Sequence, residues 1–427
     1  MGAEKKLVLV YPQFPSGLFA SVSPGLLSAA AQAHQHYPAL PTTIWDERID
    51  GEFDPSGVTG ALVGITTMTA QVPRAKRIAE RAREAGAYGI VFGGIHPTVL
   101  PAEFAELGSV VRGEVEGGSF AQALADYVQD RPLAREYATP VVPLENLPLA
   151  HPHLYEYALR VPESMISDSR GCPLSCSYCS VQIVSGKKIR HRPAAQVVAE
   201  LRARKLLEGD PNPQITFTGD AFGFSPQDRV LLEHLRAALD GRDFHWLAQI
   251  GLGPLNDDRF LELANSVGHA KLIIGVESPF RDGLSIEKNG IRGINPASVF
   301  EKIRKYPNLR TRLLLMLGFD FEPRDAFEQM LGFIRDIQPD GVYISILTPF
   351  PGTQIGAKMI EQGRIRETNW AYYDTRHLVF ERHYQNGDAR TGVMPAEEFM
   401  TGFKWLLAQA ETEMQKWSQF ADESRVL

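Results

Sequence analysis

Gly171-Cys-Pro-Leu-Ser-Cys-Ser-Tyr-Cys-Ser180 carries every cysteine of this 427-residue chain, Cys172, Cys176 and Cys179, in C-x3-C-x2-C spacing. Core cysteines that act as small hydrophobes would be scattered. A disulfide framework does not suit an odd count in a long chain without a secretory segment. Three thiolates in one loop point to a metal. A zinc site completed by His191 or His153 is one reading, since Cys3His sites are common. Zinc ligands ordinarily come as two short pairs separated by a longer span, and this loop has no second pair. An iron–sulfur cluster normally takes four cysteines, so three leave one iron of a four-iron cluster without a protein thiolate.

Outward from this loop the composition is that of a globular protein, with 44% hydrophobic and 22% charged residues. The formal net charge of -7 argues against a nucleic-acid partner, which needs a basic stripe. No apolar run approaches the ~20 residues that span a bilayer. Met1-Gly-Ala-Glu-Lys-Lys-Leu7 leads directly into an apolar strand rather than a signal peptide. The expectation is a cytoplasmic protein that touches neither nucleic acid nor membrane.

Upstream, short apolar runs at Lys6–Val10, Thr42–Trp45, Ala61–Ile65, Gly89–Phe92 and Ser109–Val111 alternate with helical stretches such as Gln71–Ala85. That alternation predicts an α/β domain over 1–130, a doubly wound, Rossmann-like parallel sheet with helices on both faces. Ligands of such sheets bind at the carboxyl ends of the strands. The loops there, Tyr11–Gly17, Thr66–Gln71, Gly93–Pro97 and Gly113–Gly118, are rich in glycine, proline and threonine. Residues 131–160, with Pro132, Pro140, Pro143, Pro148 and Pro152, read as a linker.

Downstream, strands predicted at Met165–Asp168, Gln214–Thr218, Trp246–Ile250, Lys271–Val276, Arg312–Leu317 and Val342–Leu347 make a partial (β/α)6 barrel over 161–358. Its chemistry is expected at the carboxyl ends of the strands. Residues 359–427 read as a short helical lobe, with an amphipathic helix Glu397–Phe420 that would cover the open barrel.

The cysteine spacing and the missing fourth ligand resemble the radical SAM superfamily. The resemblance implies that the open iron chelates S-adenosylmethionine (SAM) and that an electron from the [4Fe-4S] cluster cleaves it to a 5′-deoxyadenosyl radical. Thr66-Thr67-Met68-Thr69, Gly93-Gly94-Ile95-His96-Pro97-Thr98 and Arg112-Gly113-Glu114-Val115-Glu116-Gly117 resemble three loops of the cobalamin-binding domain that precedes many radical SAM cores. They make Thr66, Thr67, Met68, Gly93, Gly94 and Glu114 the cobalamin-facing candidates. The Asp-x-His-x-x-Gly of older cobalamin proteins is absent: Tyr11–Gly17 holds no histidine, which the radical SAM branch and a vestigial domain share. His96 reads as a cobalt ligand or, more simply, as a loop histidine bonded to backbone.

The same resemblance assigns Tyr178 to the adenine and Asp220, in Thr218–Phe222, to the SAM ammonium, a charge-assisted bond. A helix N-cap is the plain alternative for Asp220. Glu277 and Ser278 belong to a Gly-x-Glu-Ser segment and would bind SAM, as would Arg312 through its guanidinium fork. Lys288-Asn289-Gly290 is a loose match to a Lys-x-Gly continuation, Arg190-His191-Arg192 to an Arg-x-Arg element, and Pro349–Thr353 to a structural Pro-x-Pro-Gly-Thr turn. His245, Gln249, Tyr343 and Tyr372 are the substrate-facing candidates for catalysis.

The expected activity is hydrogen abstraction from an unactivated carbon of a small molecule, followed by cobalamin-dependent C-methylation in natural-product biosynthesis. The alternatives are a radical dehydratase, deoxygenase or epimerase acting on an aminosugar or similar substrate, with the front domain vestigial, and a zinc-stabilised corrinoid carrier without catalysis. The radical chemistry implies an electron donor of flavodoxin or ferredoxin type, or another reductase.

Overall fold

The computed structural model describes residues 4–15, 24–145, 147, 163–207, 214–288, 293–386 and 390–417. Six strands form the first sheet: β1 Leu7–Tyr11, β2 Thr42–Asp46, β3 Leu62–Thr66, β4 Gly89–Gly93, β5 Ser109–Arg112 and β6 Glu136–Ala138, in the order β2-β1-β3-β4-β5-β6. All pairings are parallel. β1 is buried along its whole length because both faces are covered. Leu7 and Leu9 pack with helices Pro24–His36 and Ser119–Val128, whereas Val8 and Val10 pack with helix Val72–Glu84. The chain turns from β2 back across β1 to β3, and the crevice of a doubly wound sheet opens at that switch. β6 comes from the proline-rich stretch read as linker, Val110 pairing with Glu136. Three residues are too few to register as a periodic pattern.

The second sheet is also parallel, ordered β14-β13-β12-β11-β10-β7. Its strands are β7 Glu163–Ile166, β10 Gln214–Phe222, β11 His245–Gly251, β12 His269–Glu277, β13 Leu309–Leu317 and β14 Gly341–Ile346. Two short strands, β8 Ser169–Arg170 and β9 Arg190–His191, pair antiparallel and flank the cysteine loop. β14 and β7 do not pair with each other, so the barrel stays open on one side. Alternation along β13 sends Leu309, Thr311, Leu313, Leu315 and Leu317 outward to the helices and Arg312, Leu314 and Met316 toward the barrel interior. The segment after Trp370 lies along the free side of β14: Ile346 N–H donates to the Thr375 carbonyl at 2.8 Å, and Arg376 Nη1 donates to the Ile344 carbonyl at 2.9 Å.

The C-terminal lobe departs from the helical reading. After helix Gln354–Glu361 comes an antiparallel hairpin, β15 Arg382–Asn386 and β16 Arg390–Met394, and then helix Ala396–Trp417. That helix does not cover the open barrel. Phe399, Phe403, Leu406, Ala410 and Met414 join the barrel core from outside, with Phe399 edge-on to Phe327 of helix Ala326–Ile337 at 5.4 Å. Residues 418–420 of the predicted helix lie outside the described residues, as do His153, Ser16 and Gly17.

The hairpin is fixed to the barrel by a buried ion pair. Arg382 Nη2 donates to Glu322 Oε2 at 3.1 Å, and the two residues are 1% and 0% exposed. Glu322 also accepts from Gly318 N–H at 2.9 Å. Burial nevertheless pushes its carboxyl up to about 7, against the pull of Arg382. Removing one partner of such a pair strands the other's charge in a dry interior. Glu322→Leu, which leaves the always-charged Arg382 without its partner, is therefore expected to lose about 3–5 kcal/mol in denaturant unfolding, and the double variant Glu322→Leu/Arg382→Met to recover most of that loss.

Candidate active site

The cysteine loop runs from β8 to a short helix, Val181–Ser185, and its shape comes from bonds along its whole length. Gly171 takes φ +95, and a Cβ there would run into the Lys188 carbonyl, so only glycine turns the chain at this point. Gly171 N–H donates to Asp220 Oδ2 at 2.7 Å, and Cys172 N–H donates to the Gly186 carbonyl at 3.2 Å. Gln182 Nε2 donates to the carbonyls of Cys172 and Leu174 at 3.0 and 2.6 Å. Ser177 N–H donates to the Glu287 carbonyl at 2.8 Å, and Ser177 O accepts from Ile355 N–H at 3.0 Å. Thr353 caps the helix that begins there, so the Pro-x-Pro-Gly-Thr turn braces the loop.

All three sulfurs face one cavity of about 340 Å³ inside the barrel mouth. Without a cation, burial drives the thiols up, Cys176 to about 12. Only a strongly positive centre would make them thiolates, as iron does. The Tyr178 hydroxyl, in the same wall, is buried beside the Cys176 thiol with no oxygen or nitrogen partner, its ring edge-on to Phe319 at 5.6 Å. Three convergent thiols, a hydroxyl with bonding capacity to spare and open volume beside them fit a cluster and a small polar ligand.

Asp220 lies within β10 and is no helix cap. Glu277 stands at a bulge between β12 and β13 with φ +68, a conformation costly for a side chain of its size. Its carboxylate accepts from Lys288 Nζ at 2.9 Å, and Lys288 also donates to the Gly275 carbonyl at 2.9 Å. Lys288 is 5% exposed and is the polar group that sequence reading passed over as a loose match; its neighbours Asn289 and Gly290 lie outside the described residues. Gln249 and Tyr343 line the same cavity, Tyr343 sharing a hydrogen bond with Thr375 Oγ1 at 3.2 Å.

Other predicted residues fall elsewhere. Ser278 is fully buried in a turn, its Oγ accepting from Phe280 N–H at 3.3 Å. Arg312 faces the interior one layer below Leu314, beneath the cavity lining. His245 opens β11 and so lies at the amino end of the barrel, away from the cysteines. Tyr372 is 41% exposed and packs on His377.

A second cavity, of about 400 Å³, lies at the carboxyl ends of β1, β3, β4 and β5. It is apolar toward the front sheet (Leu9, Val91, Val111, Phe120) and charged toward the barrel (Glu114, Glu116, Arg170, Asp220). Thr66, Gly93, Gly94 and Glu114 line it. Thr67 is buried behind Gly94, which turns at φ +100 where an added Cβ would strike the Thr67 carbonyl; Thr67 N–H donates to the Gly93 carbonyl at 2.8 Å and His96 N–H to the Thr67 carbonyl at 3.3 Å, which joins the two loops. Met68 faces a smaller seam cavity with His96 and Phe350. His96 neither reaches the main cavity nor bonds to backbone through its ring. Burial lowers its pKa to about 4, and the neutral ring packs on Trp370 at 5.0 Å.

Two ion pairs close the interface between the cavities. Arg170, the residue before Gly171, grips Glu116 through both terminal nitrogens at 2.6 and 2.5 Å. Burial alone would raise the Glu116 carboxyl, and the Arg170 guanidinium overrides it and holds it low. Arg190 donates to Glu114 at 2.8 Å and to the Val142 carbonyl at 2.6 Å. The Arg-x-Arg element thus splits its work: Arg190 holds the front domain, while Arg192 donates to Glu200 at 2.7 Å and to the Ser167 carbonyl at 2.8 Å within the barrel. Asp220 lines both cavities, and burial raises its carboxyl.

Residues 166–334 match the Radical SAM superfamily. The chain thus carries a radical SAM domain. It is therefore an enzyme, and the cofactors of its barrel are a [4Fe-4S] cluster and SAM. Over 401 residues it is 29% identical to the bacteriochlorophyllide d C-12(1)-methyltransferase of Chlorobaculum tepidum, covering 90% of this chain and 85% of that one. It is 24% identical to the bacteriochlorophyllide d C-8(2)-methyltransferase of the same organism, over 84% of this chain and 80% of that protein. Among solved structures, the radical SAM methyltransferase TsrM from Kitasatospora setae, with cobalamin and a [4Fe-4S] cluster bound, superposes with a TM-score of 0.70 at 16% identity, over 99% and 91% of the two chains. That likeness extends the fold assignment to both domains.

Behind the loop, two carboxyls are buried back to back. Asp168 accepts from Gly219 N–H at 2.8 Å and from Ser169 Oγ at 2.9 Å, and Asp228 accepts from Gly223 and Ser225 N–H at 2.9 and 3.0 Å. Burial, then repulsion from Asp168, pushes Asp228 up to about 7, and burial, with a smaller push from Asp220, raises Asp168 to about 6. A carboxyl whose folded pKa is raised is most favourable to folding when protonated. Its contribution is whole below the unfolded value near 4 and is lost as pH climbs through about 7. Asp228→Asn is expected to gain on the wild type as pH rises from 5 to 8, by on the order of 1–3 kcal/mol, in unfolding titrations at both pH values.

Proposed function

We propose that the protein is a cobalamin-dependent radical SAM C-methyltransferase acting on a small molecule in natural-product biosynthesis. The observation that carries this reading is the pair of cavities that meet at Asp220, one holding the three thiols and the other seated on the switch point of the front sheet. The methyltransferases of Chlorobaculum tepidum and TsrM support it by similarity along nearly the whole chain.

In this reading Cys172, Cys176 and Cys179 hold the cluster and leave one iron for SAM, while Thr66, Gly93, Gly94 and Glu114 hold the corrinoid. When bound, these groups supply radical generation and methyl transfer. The chain's own contribution is placement. Tyr178, Asp220 and Glu277 offer a hydroxyl and two carboxylates to the ribose and ammonium groups of SAM, and Lys288 offsets the charge of Glu277. Gln249 and Tyr343 are left to orient the substrate, while Phe224, Leu314, Met316 and Phe350 keep water away from a reactive carbon radical. The electron comes from a flavodoxin- or ferredoxin-type donor, and the setting is the reducing cytoplasm.

A dehydratase or epimerase with a vestigial front domain would not need an open apolar cavity in that domain, nor two buried ion pairs to hold it against the cysteine loop. Metal analysis after anaerobic cluster reconstitution, incubation with hydroxocobalamin and desalting separates the two. About four irons and one cobalt per chain are expected, with Cys176→Ala losing the iron and keeping the cobalt. Four irons without cobalt would overturn methyl transfer and favour the alternative.

A further inference from the structure

We propose that Asp243, His245 and His269 form a second metal site, for a divalent first-row ion such as zinc, at the end of the barrel opposite the cysteine loop. His245 and His269 open neighbouring parallel strands and are paired in register, so both side chains leave the same face of the sheet. Their rings stack with centroids 4.9 Å apart and planes 29° from parallel. Asp243, two residues before His245, meets both: its Oδ2 is 3.2 Å from His245 Nε2 and its Oδ1 is 3.5 Å from His269 Nε2. The three donor atoms lie within 4.8 Å of one another.

These separations are those of metal ligands. A tetrahedral centre with bonds of about 2.0–2.2 Å sets its ligand atoms about 3.4 Å apart, between the two distances found. Two imidazoles and one carboxylate are a borderline donor set that suits zinc, cobalt(II) or nickel(II), with water filling the remaining positions. Without an ion, the His245 ring in its Nε2–H tautomer donates to Asp243 Oδ2 at 3.2 Å. A divalent ion would take the same ring nitrogen as a ligand once the proton sits on Nδ1.

The backbone beneath the site is rigid, so the ligands are held rather than gathered by chance. His269 N–H donates to the Phe244 carbonyl at 2.7 Å, and the buried Trp246 donates from Nε1 to the Val267 carbonyl at 2.8 Å. Gly268 turns the chain at φ +66 where a Cβ would strike that same Phe244 carbonyl. Residues 267–269 are thereby fastened to 244–246, which fixes the two histidines against each other before any ion arrives. A bound ion would tie the first residues of β11 and β12 together with the turn before them.

The test is equilibrium dialysis of the cluster-loaded, full-length protein against micromolar zinc under anaerobic conditions, with zinc and iron counted by mass spectrometry. The wild type is expected to take up about one zinc per chain. His245→Ala and His269→Ala should each bind it at least tenfold more weakly, with iron content unchanged. Zinc should raise the melting temperature of the wild type and not of the variants. Both histidines are partly exposed, so the variants should fold, and their unchanged iron checks that they do. Equal zinc in wild type and His245→Ala/His269→Ala, whether none or one, would overturn the site.

Discussion

The grip of Arg170 on Glu116 is the contact on which the two halves of the molecule depend. Taking both charges out of water costs several kcal/mol, which is repaid only by close, well-directed geometry. Both terminal nitrogens of Arg170 are engaged. The pair therefore acts less as a source of stability than as a fixture that tolerates little displacement. Because Arg170 directly precedes the cysteine loop and Glu116 sits on the turn after β5, any shift of the front sheet is felt at the first thiol. Arg190 and Glu114 repeat the arrangement on the other side of the loop.

From that fixture follows the placing of the two cavities. Each is built by the rule for its own sheet, at the carboxyl ends of parallel strands. The ion pairs bring those ends face to face, so that Asp220 becomes a wall common to both. A group held in one compartment is then a side chain's width from a ligand held in the other. No arm or swinging domain is required to carry anything between them.

Much of this was legible in the chain. The central strands announced themselves because strands covered on both faces need unbroken apolar runs, and Leu7–Tyr11 is one. The cysteines announced the metal, because no packing role clusters thiols so tightly. What could not be read depends on tertiary contact. β6 is three residues of a proline-rich stretch that become a strand only beside β5. Lys288 looks like a surface lysine until the bulge at Glu277 brings a carboxylate to meet it. His245 was picked because it falls at a strand end, and it precedes the strand read over Trp246–Ile250, so it belongs to the amino end where no chemistry gathers. Ser278 sits in a stretch similar to the family's yet is folded into a turn, and Arg312, chosen for its guanidinium on the fifth strand, lies a layer below the cavity lining. Helix Ala396–Trp417 has an apolar side that suits a barrel flank as well as a barrel mouth, and nothing in its periodicity separates the two.

An open barrel leaves a strand with unpaired backbone, and such an edge recruits other chains. Here the stretch containing Thr375 and Arg376 lies along β14 and engages the Ile346 amide and the Ile344 carbonyl. Thr375 does so at φ +66, an unfavourable backbone for a β-branched residue. The local strain is the cost of colloidal safety: a few residues held awkwardly keep the sheet from growing by addition of a second molecule. Displacing that short segment would therefore bare the β14 edge before it disturbs the barrel core.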